Sequence, residues 1–231
     1  MFGIILVRKK ISLKVENGLD KTNKIIIQCD FDGTVTDIDT GAYVLSKFAN
    51  GDWQELDNQL THGEITFEEC LREQFGMINH PKDEILKMVE TAVAVRRYFG
   101  DVVTCCKEKG IELKLVSGGL DFCIKHILER NNLDVDFIAP KTTFGVSGIT
   151  LEFPSITDTT SFNFKDDIVR RYQREGYNVV YVGDGYGDYY AIKQANLRFA
   201  VKDSVSAGLC HANNVTFHEI TDFEPVLQLV R

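Results

Sequence analysis

The octapeptide Cys29-Asp30-Phe31-Asp32-Gly33-Thr34-Val35-Thr36 follows an apolar run, Ile25-Ile26-Ile27. It reads as a strand whose C-terminal end delivers two carboxylates into a tight turn. Side chains alternate along a strand. Asp30 can therefore face a ligand while the turn presents Asp32. Gly33 allows the backbone to bend and approach a ligand closely, and the hydroxyls of Thr34 and Thr36 can hold the turn or donate to an anion. Asp and Gly are also what ordinary turns are made of, so the weight of this stretch depends on residues later in the chain.

Outward from that strand, the chain alternates. Lys24 to Cys29 is the first strand. Residues 40–93 carry helical patterns with few β signals. Tyr43, Val44, Leu45 and Phe48 share a face, and a second helix is expected from Trp53 to Leu60. Thr66 and Glu69 form a helix-start pair, after which Phe67, Cys70, Leu71 and Phe75 recur at helical spacing. Pro81 is expected in the first turn of a fourth helix. From Val95 onward, strands at Ile111–Val116, Val135–Ile138, Asn178–Val182 and Leu197–Val201 alternate with helices, and residues 142–153 read as a hairpin around Val-Ser-Gly. Strands alternating with helices predict a mostly parallel sheet covered on both faces. The expected architecture is a doubly wound α/β core built from 24–39 and 94–231, with a small helical module, 40–93, inserted after the first strand. Residues 1–23 suggest a short strand, Ile11–Val15, and a turn, and carry no chemistry.

The 231 residues suffice for one large domain or a domain with an insertion, and 44% hydrophobic with 26% charged residues is ordinary for a globular protein. The net charge of −8 disfavours nucleic acid or an anionic membrane as a partner. The six cysteines lack C-x-x-C spacing and read as reduced thiols. With no signal-like leader and no span of membrane length, a cytoplasmic protein is expected. A homodimer is left open.

Three further stretches fall where an α/β sheet places ligands, at strand C-termini. Ser117-Gly118-Gly119 follows Leu113–Val116 and offers a hydroxyl and backbone N–H groups to an anion. Lys165 opens a helix; taken alone it reads as a solvated surface lysine. Gly183-Asp184-Gly185-Tyr186-Gly187-Asp188 converges two acids after a strand, which is costly unless a cation is bound. Carboxylate oxygens suit Mg²⁺. With Lys165 and Ser117 such a site would bind a phosphoryl group, and a free carboxylate could attack phosphorus.

In this order, DFDGTVT, VSGG, Lys and GDGxxD resemble the motifs of the haloacid dehalogenase-like hydrolases. The likeness is to their phosphoserine-phosphatase-type branch, which includes the 2-hydroxy-3-keto-5-methylthiopentenyl-1-phosphate phosphatases of methionine salvage. The resemblance implies an enzyme that hydrolyses a small phosphorylated metabolite. It makes Asp30 the nucleophile and Asp32 the general acid and then base. Mg²⁺ would be held by the Asp30 side chain, the Asp32 carbonyl and Asp184. Asp188 would support the metal's waters or Lys165. Ser117, Gly118 and Lys165 would bind phosphoryl oxygens, and 40–93 would be a cap. The acid at position 32 separates phosphatases from dehalogenases.

For the substrate, Ile65–Arg72 resembles the phosphoserine phosphatase cap helix, and Arg72 matches its carboxylate-binding arginine. Asp39 replaces the usual glutamate of that enzyme and Gly187 its usual asparagine. These departures, with Arg198–Asp203 and Phe217–Phe223, favour the methionine-salvage type over a phosphoserine phosphatase. A phosphotransferase, and a non-catalytic phosphometabolite-binding protein, are the alternatives. His62 could touch substrate from a loop, while His126 and Trp53 read as structural.

Overall fold

The computed structural model describes residues 23–231; the strand expected at Ile11–Val15 lies outside them. The central strand is β1 (Lys24–Cys29), which runs into the Asp30–Thr36 loop. Four helices follow: α1 (Thr40–Phe48), α2 (Trp53–Thr61), α3 (Phe67–Gly76) and α4 (Lys82–Ala92). The chain then returns through α5 (Phe99–Lys109), β2 (Glu112–Val116), α6 (Asp121–Arg130), β3 (Asp136–Ile138) and the hairpin β4 (Lys141–Gly145) and β5 (Gly148–Glu152). It closes with α7 (Phe164–Arg174), β6 (Tyr177–Gly183), α8 (Tyr186–Gln194), β7 (Leu197–Val201), α9 (Val205–Ala212), β8 (His218–Ile220) and α10 (Glu224–Val230).

Six strands form one parallel sheet in the order β3-β2-β1-β6-β7-β8. The order reverses at β1, whose neighbours are β2 on one side and β6 on the other, with Ile27 in register with both Leu113 and Val180. A crevice opens at such a reversal, outside the carboxyl ends of the strands. A sheet covered on both faces needs apolar side chains on both, and β1 supplies them alternately. Ile27 and Cys29 join α5, α6 and α10 in one core cluster. Ile26 joins α7, α8 and α9 in the other. This is the doubly wound α/β fold expected.

The helical insert is closed at its neck. Asp37 N donates to Ala94 O, and Ala94 N to the Asp37 carboxylate, at 3.0 and 2.9 Å. Within it, Thr66 and Glu69 make the reciprocal cap that opens α3. Two details differ from expectation. Pro81 is the N-cap of α4 rather than its first residue, with extended backbone (ψ 146°). Elements α9, β8 and α10 lie beyond Leu197–Val201, the last strand the sequence pattern indicates, and are additional to those expected. No helix among the described residues is long and apolar enough to cross a membrane.

Candidate active site

The crevice at β1 is the floor of a cavity of about 190 Å³ roofed by the insert. Each core motif reaches it from a different element. Asp30 and Asp32 come from the loop after β1, Gly118 and Gly119 from the turn after β2, Lys165 from the first turn of α7, and Asp184 to Asp188 from the β6–α8 junction.

Lys165 is not a surface lysine. It is 4% exposed, and its Nζ donates to Asp30 Oδ1 at 2.5 Å and Asp188 Oδ1 at 2.7 Å. Burial works against its charge, but Asp188 and Asp30 outweigh it and hold the ammonium protonated. Asp188 is fully engaged. Its Oδ1 also accepts from the Tyr181 hydroxyl at 2.8 Å, and its Oδ2 from the N–H groups of Asp184 and Gly185. Asp184 Oδ1 accepts from the Thr34 hydroxyl at 2.6 Å. Burial pushes the Asp184 carboxyl up to about 7, with Asp188's charge adding. Asp30 is raised by burial and by Asp188, while Lys165 opposes.

Asp30, Asp184 and Asp188 each offer an oxygen within 4.8 Å of the others. Three carboxylates facing one cation, Asp30 and Asp188 buried and Asp184 half-buried, carry surplus negative charge, and all-oxygen donors suit a hard divalent ion. Packing keeps the space close: a Cβ on Gly33, already at φ +81°, would lie 2.4 Å from Asp184 Oδ2. The donor set fits Mg²⁺. Because Asp188's oxygens are taken by protein donors, Asp30 and Asp184 are the carboxylates left to hold it.

Asp32 stands apart from this group. Ser117 Oγ donates to its Oδ2 at 2.9 Å and accepts from Gly119 N at 2.9 Å. The hydroxyl expected on a phosphoryl oxygen thus pins the Asp32 carboxyl in this arrangement. Burial, with Asp39's charge adding, pushes Asp32 up to about 6.

Of the two specificity candidates, Asp39 lines the cavity and N-caps α1 through Ala42 N. Arg72 does not line it; its guanidinium lies over the Phe153 ring, 4.9 Å from the centroid. Helical phase explains this. Leu71, Gln74 and Phe75 share the face toward the cavity, and Arg72 is turned about 100° from Leu71. His62 lines a separate surface hollow, His126 pairs with Glu90, and Trp53 lines the cavity.

Two residues carry no signal in the sequence. Arg96, where the insert returns to the core, donates to the carbonyls of Gly33, Thr34 and Thr36 at 2.7, 2.9 and 3.2 Å and to Thr221 O. It clamps the loop that carries Asp30 and Asp32. Glu68, on α3, accepts from Phe164 N at 2.9 Å and so ties the insert to the helix start beside Lys165. Neither sits in a strand-end motif, which is why motifs alone do not reveal them. The Phe67 ring explains Gly187: a Cβ there would fall 2.6 Å from Phe67, and one on Gly118 would be 2.8 Å from Leu71. The insert rests on two core turns that only glycine leaves room for.

The family model of haloacid dehalogenase-like hydrolases matches residues 27–193. The chain belongs to that family, as the order of its four motifs had implied. Among its relatives, a 2-hydroxy-3-keto-5-methylthiopentenyl-1-phosphate phosphatase of Brevibacillus brevis is 29% identical over 209 residues, covering 86% of this chain and 94% of that one. The enzyme of the same name from Geobacillus kaustophilus is 29% identical over 211 residues, covering 87% and 96%. Among solved structures, a phospho-aspartyl intermediate analogue of phosphoserine phosphatase matches with TM-score 0.66 at 21% identity, covering 90% of this chain and all of that one. A haloacid dehalogenase-family hydrolase of Salmonella enterica matches with TM-score 0.69 at 20% identity, covering 92% and 73%. The structural likenesses establish the shared fold. The expected enzyme class, a phosphatase of this family, stands.

Proposed function

We propose that the chain is a Mg²⁺-dependent phosphomonoester hydrolase for a small phosphorylated metabolite, of the methionine-salvage type its relatives' names describe. The observation that carries this reading is the buried Lys165, bonded to Asp30 and Asp188 beside Asp184, directly under a small cavity. In this reading Asp30 attacks phosphorus, the P–O bond to the alcohol oxygen breaks, and an aspartyl-phosphate forms as the alkoxide leaves. Asp32 gives its proton to the leaving alkoxide, then takes one from the water that releases phosphate. A carboxyl near 6 suits both transfers around neutrality. Lys165 and the Gly118 N–H neutralise and orient the phosphoryl oxygens. The insert, 40–93, serves as a cap that keeps bulk water out. A bound Mg²⁺, held by Asp30 and Asp184, would keep those carboxylates ionised and offset phosphoryl charge.

The test is phosphate release from p-nitrophenyl phosphate and from a panel of phosphorylated metabolites, in Mg²⁺ and in EDTA. Turnover should need Mg²⁺ and fall by about 10³-fold or more in Asp30→Asn. Full activity in that variant would remove Asp30 as nucleophile. Phosphorylated alcohol in place of free phosphate would indicate a transferase instead.

A further inference from the structure

The part of the roof built by α2 and α3 carries a polar pair that the phosphoryl chemistry does not use. On α2 and α3, Gln74 Nε2 donates to Asp57 Oδ1 at 2.8 Å and to Trp53 O at 3.0 Å. Gln74 is 3% exposed and held at both bonds. Asp57 sits at the cavity rim, and among the described residues no hydrogen bond engages its Oδ2. Around the pair the wall is apolar: Trp53, Leu60, Phe67 and Leu71. Lys165 is the one cationic side chain among the described residues lining the cavity, and it is committed to two carboxylates on the floor.

Resting on the phosphatase reading, we propose that Asp57, oriented by Gln74, is the specificity-determining acceptor for a hydroxyl of the substrate's alcohol half. The proposed function already implies an uncharged alcohol half with an apolar end, and the apolar wall suits it. The geometry favours a donor over any anion. A carboxylate in the roof would find no cation, would face Asp57 and Asp39, and would lose hydration against an apolar wall. A hydroxyl would exchange one water partner for a fixed carboxylate oxygen, and the remaining carbons would be covered by Leu60 and Phe67. Gln74 matters because an acceptor already held in place loses less side-chain freedom when the ligand arrives. Gln74 therefore acts as a positioning residue, through Asp57.

Three phosphomonoesters of matched length separate the cases: pentyl phosphate, a pentyl phosphate hydroxylated at C2 or C3, and 4-carboxybutyl phosphate. Their binding is measured by calorimetry in Mg²⁺ on the Asp30→Asn protein, which is set up not to consume them, and kcat/KM on the unmodified protein. A charged hydrogen bond at a wetted rim is worth about tenfold in affinity. The better hydroxypentyl phosphate should bind about tenfold tighter than pentyl phosphate, and the carboxylate ester more weakly than either. Adding Asp57→Leu should bring the hydroxyl advantage to about one, and Gln74→Leu should reduce it. Asp57 is exposed at the rim, so its replacement leaves the fold intact, and circular dichroism checks this. The proposal is overturned if no hydroxyl ester is preferred, if the preference survives Asp57→Leu, if the carboxylate ester binds as well as pentyl phosphate, or if none binds. If the unmodified protein turns over no ester while the binding preference holds and collapses with Asp57, the hydrolase reading fails and the assignment of Asp57 stands.

Discussion

Replacing Lys165 by Met removes the one positive charge that the structure places between Asp30 and Asp188, at 2.5 and 2.7 Å. In the metal-free protein one more buried carboxyl must then take up a proton. The cost is that of protonating an aspartate whose ordinary value is about 3.9, at about 1.4 kcal/mol per unit, or about 4 kcal/mol at pH 7. It agrees with the ~3–5 kcal/mol expected when one partner of a buried pair is lost. The pH dependence has a fixed sign. In the variant the carboxyl's folded value is raised above its unfolded one, so the folded state holds the extra proton and stability falls as pH rises above about 4. The deficit should therefore shrink to about 1.5 kcal/mol at pH 5. Urea unfolding of both proteins in EDTA at pH 5 and pH 7 reads this directly. A Lys165→Met protein as stable as its parent at pH 7, or a deficit that does not change with pH, would refute the reasoning. Either result would mean that the lysine does not compensate those acids.

The metal should obey the same logic. Burial, with Asp188's charge, raises Asp184 to about 7, so metal-free stability should decline between about pH 4 and 7, and Mg²⁺ should raise the melting temperature more at pH 8 than at pH 5; equal shifts would refute it. Arg96→Met should cost about 2 kcal/mol in urea unfolding by releasing the Gly33, Thr34 and Thr36 carbonyls and lower kcat about tenfold with little change in KM, with Arg96→Lys restoring part of the loss. Glu68→Ala should speed hydrogen exchange at the Phe164 amide, which Glu68 alone accepts from; unchanged protection would refute the tie. Gln28→Met should stabilise the protein by about 1–2 kcal/mol in urea unfolding, because both ends of the Gln28 amide are buried with no partner among the described residues.

The range of each interaction decides what the sequence exposes and what it hides. Strands β1, β2, β6 and β7 are legible because a parallel sheet buried on both faces demands apolar runs, and each site acid comes directly after such a run. Lys165 can be tied to Asp30 only through the resemblance, since 135 residues separate them and nothing local marks a lysine at a helix start as buried. Arg96 and Glu68 act across 60 to 125 residues on backbone atoms, which have no residue type to recognise. Arg72 shows the opposite limit. Its position matches a motif, but one residue's rotation along α3 takes it out of the cavity and onto Phe153. The same rotation leaves Leu71, Gln74 and Phe75 facing the floor. The family's core motifs thus transfer with the sheet that carries them. The choice of alcohol depends on helical phase in the insert, where Gln74 and Asp57 meet the phosphoryl site from above.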